Sequence, residues 1–180
     1  LRVSDPFMQN ISLKVSKGDD GMYHVTSECI DRDNFMNLFI ILDRYNSCVS
    51  SLTLRNAIGF EVAGIMSVFR AMMHTSALDF SHSDILMSNI DSRVAGRVRV
   101  FENLHSLSLA FCPMTMVTAG SLGELLLLMT DESVEENQTL RVLDLSGIAT
   151  DEAGISAMVH LLSVILPQRF PALESLKMCY

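Results

Sequence analysis

The chain has 180 residues, a formal net charge of −8 and a 49% hydrophobic composition. The length suits one domain with a sizeable core, and the acidic balance argues against a protein that must neutralise nucleic-acid phosphates. No apolar run approaches the roughly 18 to 20 residues that span a bilayer.

In chain order, Ile11, Leu13 and Val15 alternate as a strand, Lys17-Gly-Asp-Asp-Gly21 is a turn, and Tyr23 and Val25 suit a returning strand. Asp33 can cap a helix with Phe35, Leu38, Phe39 and Leu42 inward. From Val49 onward one phrase recurs: Val49-x-x-Leu52-x-Leu54, Thr75-x-x-Leu78-x-Phe80, Leu104-x-x-Leu107-x-Leu109, Leu140-x-x-Leu143-x-Leu145 and Leu173-x-x-Leu176-x-Met178. A fainter copy is Met8-x-x-Ile11-x-Leu13. The central apolar residues fall at 52, 78, 107, 143 and 176, at intervals of 26, 29, 36 and 33.

Helical periodicity fills those intervals. After Leu54 it begins near Phe60 and continues through Val62, Ile65, Met66, Phe69, Met72 and Met73; after Leu109 it uses Ala119, Leu122, Leu125, Leu126 and Met129. After Leu145 it uses Ile155, Met158, Leu161, Leu162 and Ile165, with Thr150-Asp151-Glu152 as the start and Pro167 just past the end. Between Phe80 and Leu104 the pattern of Ile90, Val94 and Val98 is interrupted by Gly96. Thr130 to Gln138 is a polar loop.

Five short strands, the first four each followed by a helical pattern, resemble the leucine-rich repeats of the ribonuclease-inhibitor-like type. Gly64, Gly120 and Gly154 follow the strands where that family places a small residue, and Leu109-Ala-Phe-Cys112 resembles its cysteine-containing unit. The slot that usually holds asparagine carries Ala57, Ser83, Cys112 and Ile148, which marks a diverged array. The resemblance implies an α/β fold, a right-handed solenoid with one parallel strand per repeat on the concave side and helices on the convex side. Residues 1–48 are then an irregular first repeat or cap with a possible hairpin. Residues 49–180 hold about five repeats and continue beyond Tyr180, with further repeats or a neighbouring subunit covering the terminal edge.

In such an array the leucines point into the core and their neighbours point outward. Thr53, Asp79, Ser108, Asp144 and Lys177 form one outward row, with Arg55, Ser81 and Ser146 beside it, and Tyr180 lies at the open end. These nine residues are the expected partner-binding positions. The row holds no aromatic anchor, and Asp79 and Asp144 are expected to be exposed.

Catalytic patterns are thin. Ser81-His82-Ser83-Asp84 follows a strand and reads as turn chemistry. The histidines share no metal-ligand spacing with Cys, Asp or Glu, and no phosphate-binding glycine loop is present. Four cysteines, Cys29, Cys48, Cys112 and Cys179, without a CxxC, predict buried free thiols in a reducing, intracellular and cytoplasmic setting, with Cys112 at a strand-to-helix turn. The expected function is a noncatalytic protein-protein interaction scaffold, a segment or subunit of a larger assembly, without cofactor, metal, nucleic acid or membrane. The resemblance allows two alternatives: a GTPase-activating regulator of the Ran activator type, resting on Arg55-Asn56, or a substrate-recognition subunit of a ubiquitin ligase.

Overall fold

The structure is a computed structural model that describes residues 13–28, 38, 42, 48–56, 60–61, 75–83, 85–86, 103–113, 137–148 and 152–179. The helical patterns expected at 62–73, 90–98 and 119–129, and Tyr180, lie outside the described residues, as do Cys29 and Asp84. Of the helix expected after Asp33, Leu38 and Leu42 are described; both are helical and buried.

Each recurring phrase forms a short strand, because its leucine alternates with small or polar residues at period two. The strands are β1 (Leu13–Lys17), β2 (Tyr23–Glu28), β3 (Val49–Arg55), β4 (Phe60–Glu61), β5 (Ala77–Asp79), β6 (Ile85–Leu86), β7 (Ser106–Ser108), β8 (Val142–Asp144) and β9 (Ser175–Lys177). Seven make a mostly parallel sheet in the order β1-β2-β3-β5-β7-β8-β9. Only the β1–β2 pair is antiparallel, as the turn around Gly21 requires; that residue holds φ at +80°. β4 and β6 form a separate parallel pair. Phe60 therefore lies in a strand, where helical spacing placed the start of a helix.

Register puts Val25, Leu52, Leu78, Leu107, Leu143 and Leu176 side by side across the sheet. From the antiparallel edge strand Val15 faces Val25 and Leu13 faces Ser27; Ile11, the centre of the faint copy, lies outside the described residues. Leu52, Leu107 and Leu143 are wholly buried, whereas Leu176 is 41% exposed. It keeps the column's register without being enclosed like the others. Two flanking columns are also buried, Val49, Thr75, Leu104 and Leu140 before the centre and Leu54, Phe80, Leu109 and Leu145 after it. Thr75 is tolerated there because its hydroxyl donates to the Val49 carbonyl at 3.2 Å.

Beyond each strand the chain turns through a left-handed residue: Asn56, His82, Phe111 and Gly147 have φ of 53°, 58°, 57° and 64°. Each stands two residues past the last apolar strand position. The amides of Asn56, His82, Phe111 and Gly147 donate to the carbonyls of Ser81, Ala110, Ser146 and Cys179 at 3.4, 2.8, 2.7 and 2.6 Å, which extends the ladder into the turns. The slot that follows has a second task. Ser83 Oγ donates to the Leu54 carbonyl at 3.1 Å, and Cys112 Sγ to the Phe80 carbonyl at 3.1 Å. Ile148 has no donor, and the Leu109 carbonyl accepts the Cys112 amide at 3.2 Å instead. Cys112 is buried at its turn as expected, Cys48 and Cys179 are exposed where burial was expected, and none of the three is held in a disulfide among the described residues.

The last helical segment starts at Glu152 as the sequence suggests, but it does not stop before Pro167. α1 (Glu152–His160) passes through a π turn over Leu161–Ile165 into α2 (Leu166–Arg169). Proline has no amide to give the preceding turn and its ring crowds that turn's carbonyl. The wider turn, in which the Leu166 amide bonds to the Leu161 carbonyl, carries the helix past it. Met158, Leu161 and Leu166 pack inward, while Ile155 and Val159 are 52% and 57% exposed. Ile155 was expected on the inward face. It lies instead along a small apolar groove shared with Val159, Leu162 and Met178 beside the outermost strand.

Candidate partner-binding groove

On the face opposite the leucine column, the residues flanking each leucine line a groove of about 470 Å³. Its central row is Thr53, Asp79, Ser108, Asp144 and Lys177, brought together by the register of β3, β5, β7, β8 and β9. Arg55 and Ser81 line it too. Ser146 stands just past β8, nearly buried, and its hydroxyl accepts the Cys179 amide at 3.3 Å. The floor across the middle strands is small: Ala77, Ser106, Ser108 and Ala110. At one end Ser51 Oγ and His24 Nδ1 share a hydrogen bond of 2.7 Å.

The two aspartates are equivalent in register and differ in surroundings. Asp79 Oδ2 accepts from Arg55 Nε at 3.1 Å and Nη2 at 2.9 Å, while its Oδ1 accepts from the Ser81 amide at 2.9 Å and hydroxyl at 2.6 Å. Burial acts to raise this carboxyl, but the Ser81 hydrogen bonds and the Arg55 guanidinium outweigh it and hold it below its ordinary value. The hydrogen bond and charge of Asp79 in turn raise Arg55. Asp79 is thus a half-buried brace, not the exposed carboxylate expected. Asp144 Oδ1 accepts the Ser146 amide at 3.0 Å, and its Oδ2 faces only Lys177 Nζ at 3.9 Å among the described residues, beyond hydrogen-bond reach. Its side chain is 21% exposed, so it too is partly shielded.

The left-handed turns build the groove's rim. His82 and Phe111 project from equivalent turn positions and stack with ring centroids 4.7 Å apart and planes 7° apart. On the next strand the same position is Gly147, where a β-carbon would fall inside the Phe111 ring. Glycine is needed there for its positive φ and for the space. Phe111 is 52% exposed and, with His82, lines the groove. The central row itself holds no aromatic side chain; Phe111 stands on the rim, in the column Asn56, His82, Phe111 and Gly147 that falls two residues beyond each strand's last apolar residue.

Ser81, His82 and Ser83 are occupied separately: Ser81 on Asp79, His82 on Phe111, and buried Ser83 on the Leu54 carbonyl. The groove thus offers hydrogen-bonding hydroxyls, one partly engaged carboxylate, a half-exposed ammonium and an aromatic edge. Among the described residues no group of three His, Cys, Asp or Glu side chains could hold a metal ion, and no helix is long and apolar enough to cross a membrane. Comparison with protein-family models, curated proteins and solved structures found no match.

Proposed function

We infer that this chain is a diverged leucine-rich-repeat array of the ribonuclease-inhibitor-like type, working as a noncatalytic scaffold that binds a protein partner in its concave groove, in an intracellular setting. One observation carries the reading: the recurring leucines lie in adjacent parallel strands in a single register, so their neighbours are gathered into one groove. The left-handed turn and hydrogen-bonding slot that recur after the strands support the repeat. Arg55, on which a GTPase-activating role would rest, is engaged with Asp79 by two hydrogen bonds, which favours the scaffold over that alternative. A further repeat or a neighbouring subunit is the second proposed contact, against β9, which is outermost among the described residues and leaves Leu176 half in water. A photocrosslinking residue at Ser108 tests the groove, with Gln168 on the exposed side of α2 as control. The expected result is a discrete crosslinked protein from position 108 and none from 168. Reproducible crosslinks from 168 alone would move the contact to the helical surface.

A further inference from the structure

We propose that the groove's partner presents a polypeptide segment that sets an arginine or lysine side chain on Asp144 and an apolar side chain against the exposed edge of Phe111. This rests on reading the groove as a protein-binding surface and adds the chemistry of what it takes.

Among the described residues four charged side chains line the groove: Arg55, Asp79, Asp144 and Lys177. Two are consumed by each other, since the Asp79 carboxylate accepts four donors from Arg55 and Ser81. In the other pair the members are unequal. Asp144 is fixed through Oδ1 by the Ser146 amide, whereas Lys177 is 56% exposed on a flexible stem, with its ammonium 3.9 Å from Oδ2. A rigid anion beside a movable cation recognises cations. An incoming guanidinium or ammonium can take Oδ2 at full hydrogen-bond distance while Lys177 swings into solvent. An incoming carboxylate would have to approach Lys177 against Asp144. The net charge of −8 also draws cationic partners from a distance.

Phe111 supplies the second contact. One ring face is covered by His82 and the ring also crowds Gly147, so a partner meets chiefly its edge. That edge suits an apolar group; a cation prefers the face of a ring, which directs the partner's positive charge to Asp144. Beside these two points the floor of Ser108 and Ala110 is small enough for a backbone to come close.

A random-peptide display library panned on the whole chain supplies the probe. Binders are then remeasured against Asp144→Asn, Phe111→Asn and a groove block, Ser108→Arg, with Thr53→Arg as a second block should the first not fold. The Asp144→Asn change keeps an acceptor for the Ser146 amide, and asparagine tolerates the positive φ at 111. Binders stopped by the block should carry Arg or Lys with a nearby apolar residue, weaken about tenfold on Asp144→Asn, and weaken further as salt is raised. Groove binders that are acidic, or indifferent to Asp144→Asn and to salt, overturn the cationic assignment and leave the groove as a binding surface. Groove binders unaffected by Phe111→Asn overturn the apolar contact. If every binder ignores both blocks, the groove reading falls as well.

Discussion

The middle of the sheet and its β9 end are built from the same phrase and finished differently. At β5 and β7 each core position is enclosed by the next strand, Asp79 is saturated with donors, and Ser83 and Cys112 tie their turns to the preceding strand. At β8 and β9 Asp144 keeps an oxygen that meets only a loose ammonium among the described residues, Ile148 replaces the hydrogen-bonding slot, and Leu176, Ile155 and Val159 are exposed. A recurring residue therefore does not carry a recurring role. The register supplies a position, and the neighbours decide whether that position braces the fold or faces a partner.

The largest expected effect separates the two regions directly. Leu143→Ala should destabilise by about 2 to 5 kcal/mol, as truncation of a buried leucine does, while Leu176→Ala should cost under about 1 kcal/mol, because much of that side chain already meets water. Equal losses in denaturant unfolding would mean that β9 is as enclosed as β8. Next in size is Gly147→Ala, expected to cost about 2 kcal/mol, since it forces a positive φ on a side chain and displaces Phe111. Loss of the groove's aromatic contact should accompany it, visible as a shift of the Phe111 ring resonances.

The aspartates give the sharper contrast. Asp79 uses both oxygens as acceptors, so Asp79→Asn must turn an amide NH2 toward either Arg55 or Ser81 and should cost about 1 to 2 kcal/mol. Asp144 hydrogen-bonds through one oxygen, so Asp144→Asn should stay within about 0.5 kcal/mol. The Asp79 effect should also depend on pH. Its folded carboxyl titrates below its unfolded value of about 4, so its contribution is present above that value and is lost as pH falls through the lower folded value. Unfolding curves of wild type and Asp79→Asn should therefore converge in acid. Smallest is the slot: Cys112→Ala should cost about 1 kcal/mol and Cys112→Ser less, because serine keeps a donor for the Phe80 carbonyl.

Much of this sheet was legible from the spacing of Leu52, Leu78, Leu107, Leu143 and Leu176, because period-two alternation and a fixed interval leave few other arrangements. The outward row followed from it without further assumption. The roles within the row did not. That Asp79 would be saturated depends on Arg55, one strand away, and on Ser81, and spacing along the chain does not tell which neighbours close a hydrogen bond. Phe111 was not legible because it sits in a turn, where strand alternation no longer says which way a side chain points. A proline such as Pro167 usually ends a helix; the π turn that carries the helix past it leaves no mark in hydrophobic periodicity.

Native-state hydrogen exchange tests the central claim, that successive strands close over one another in one parallel register as far as β9. The amides of Phe80, Leu109 and Leu145 each donate 2.9 Å bonds to the next strand, at Ser108, Asp144 and Lys177, and should exchange slowly. The equivalent amide of Met178 has no strand beyond it among the described residues, so it should exchange fast in this chain alone and slowly once the contact proposed against β9 forms. Rapid exchange at Leu109 and Leu145, with Phe80 alone protected, would contradict the parallel register.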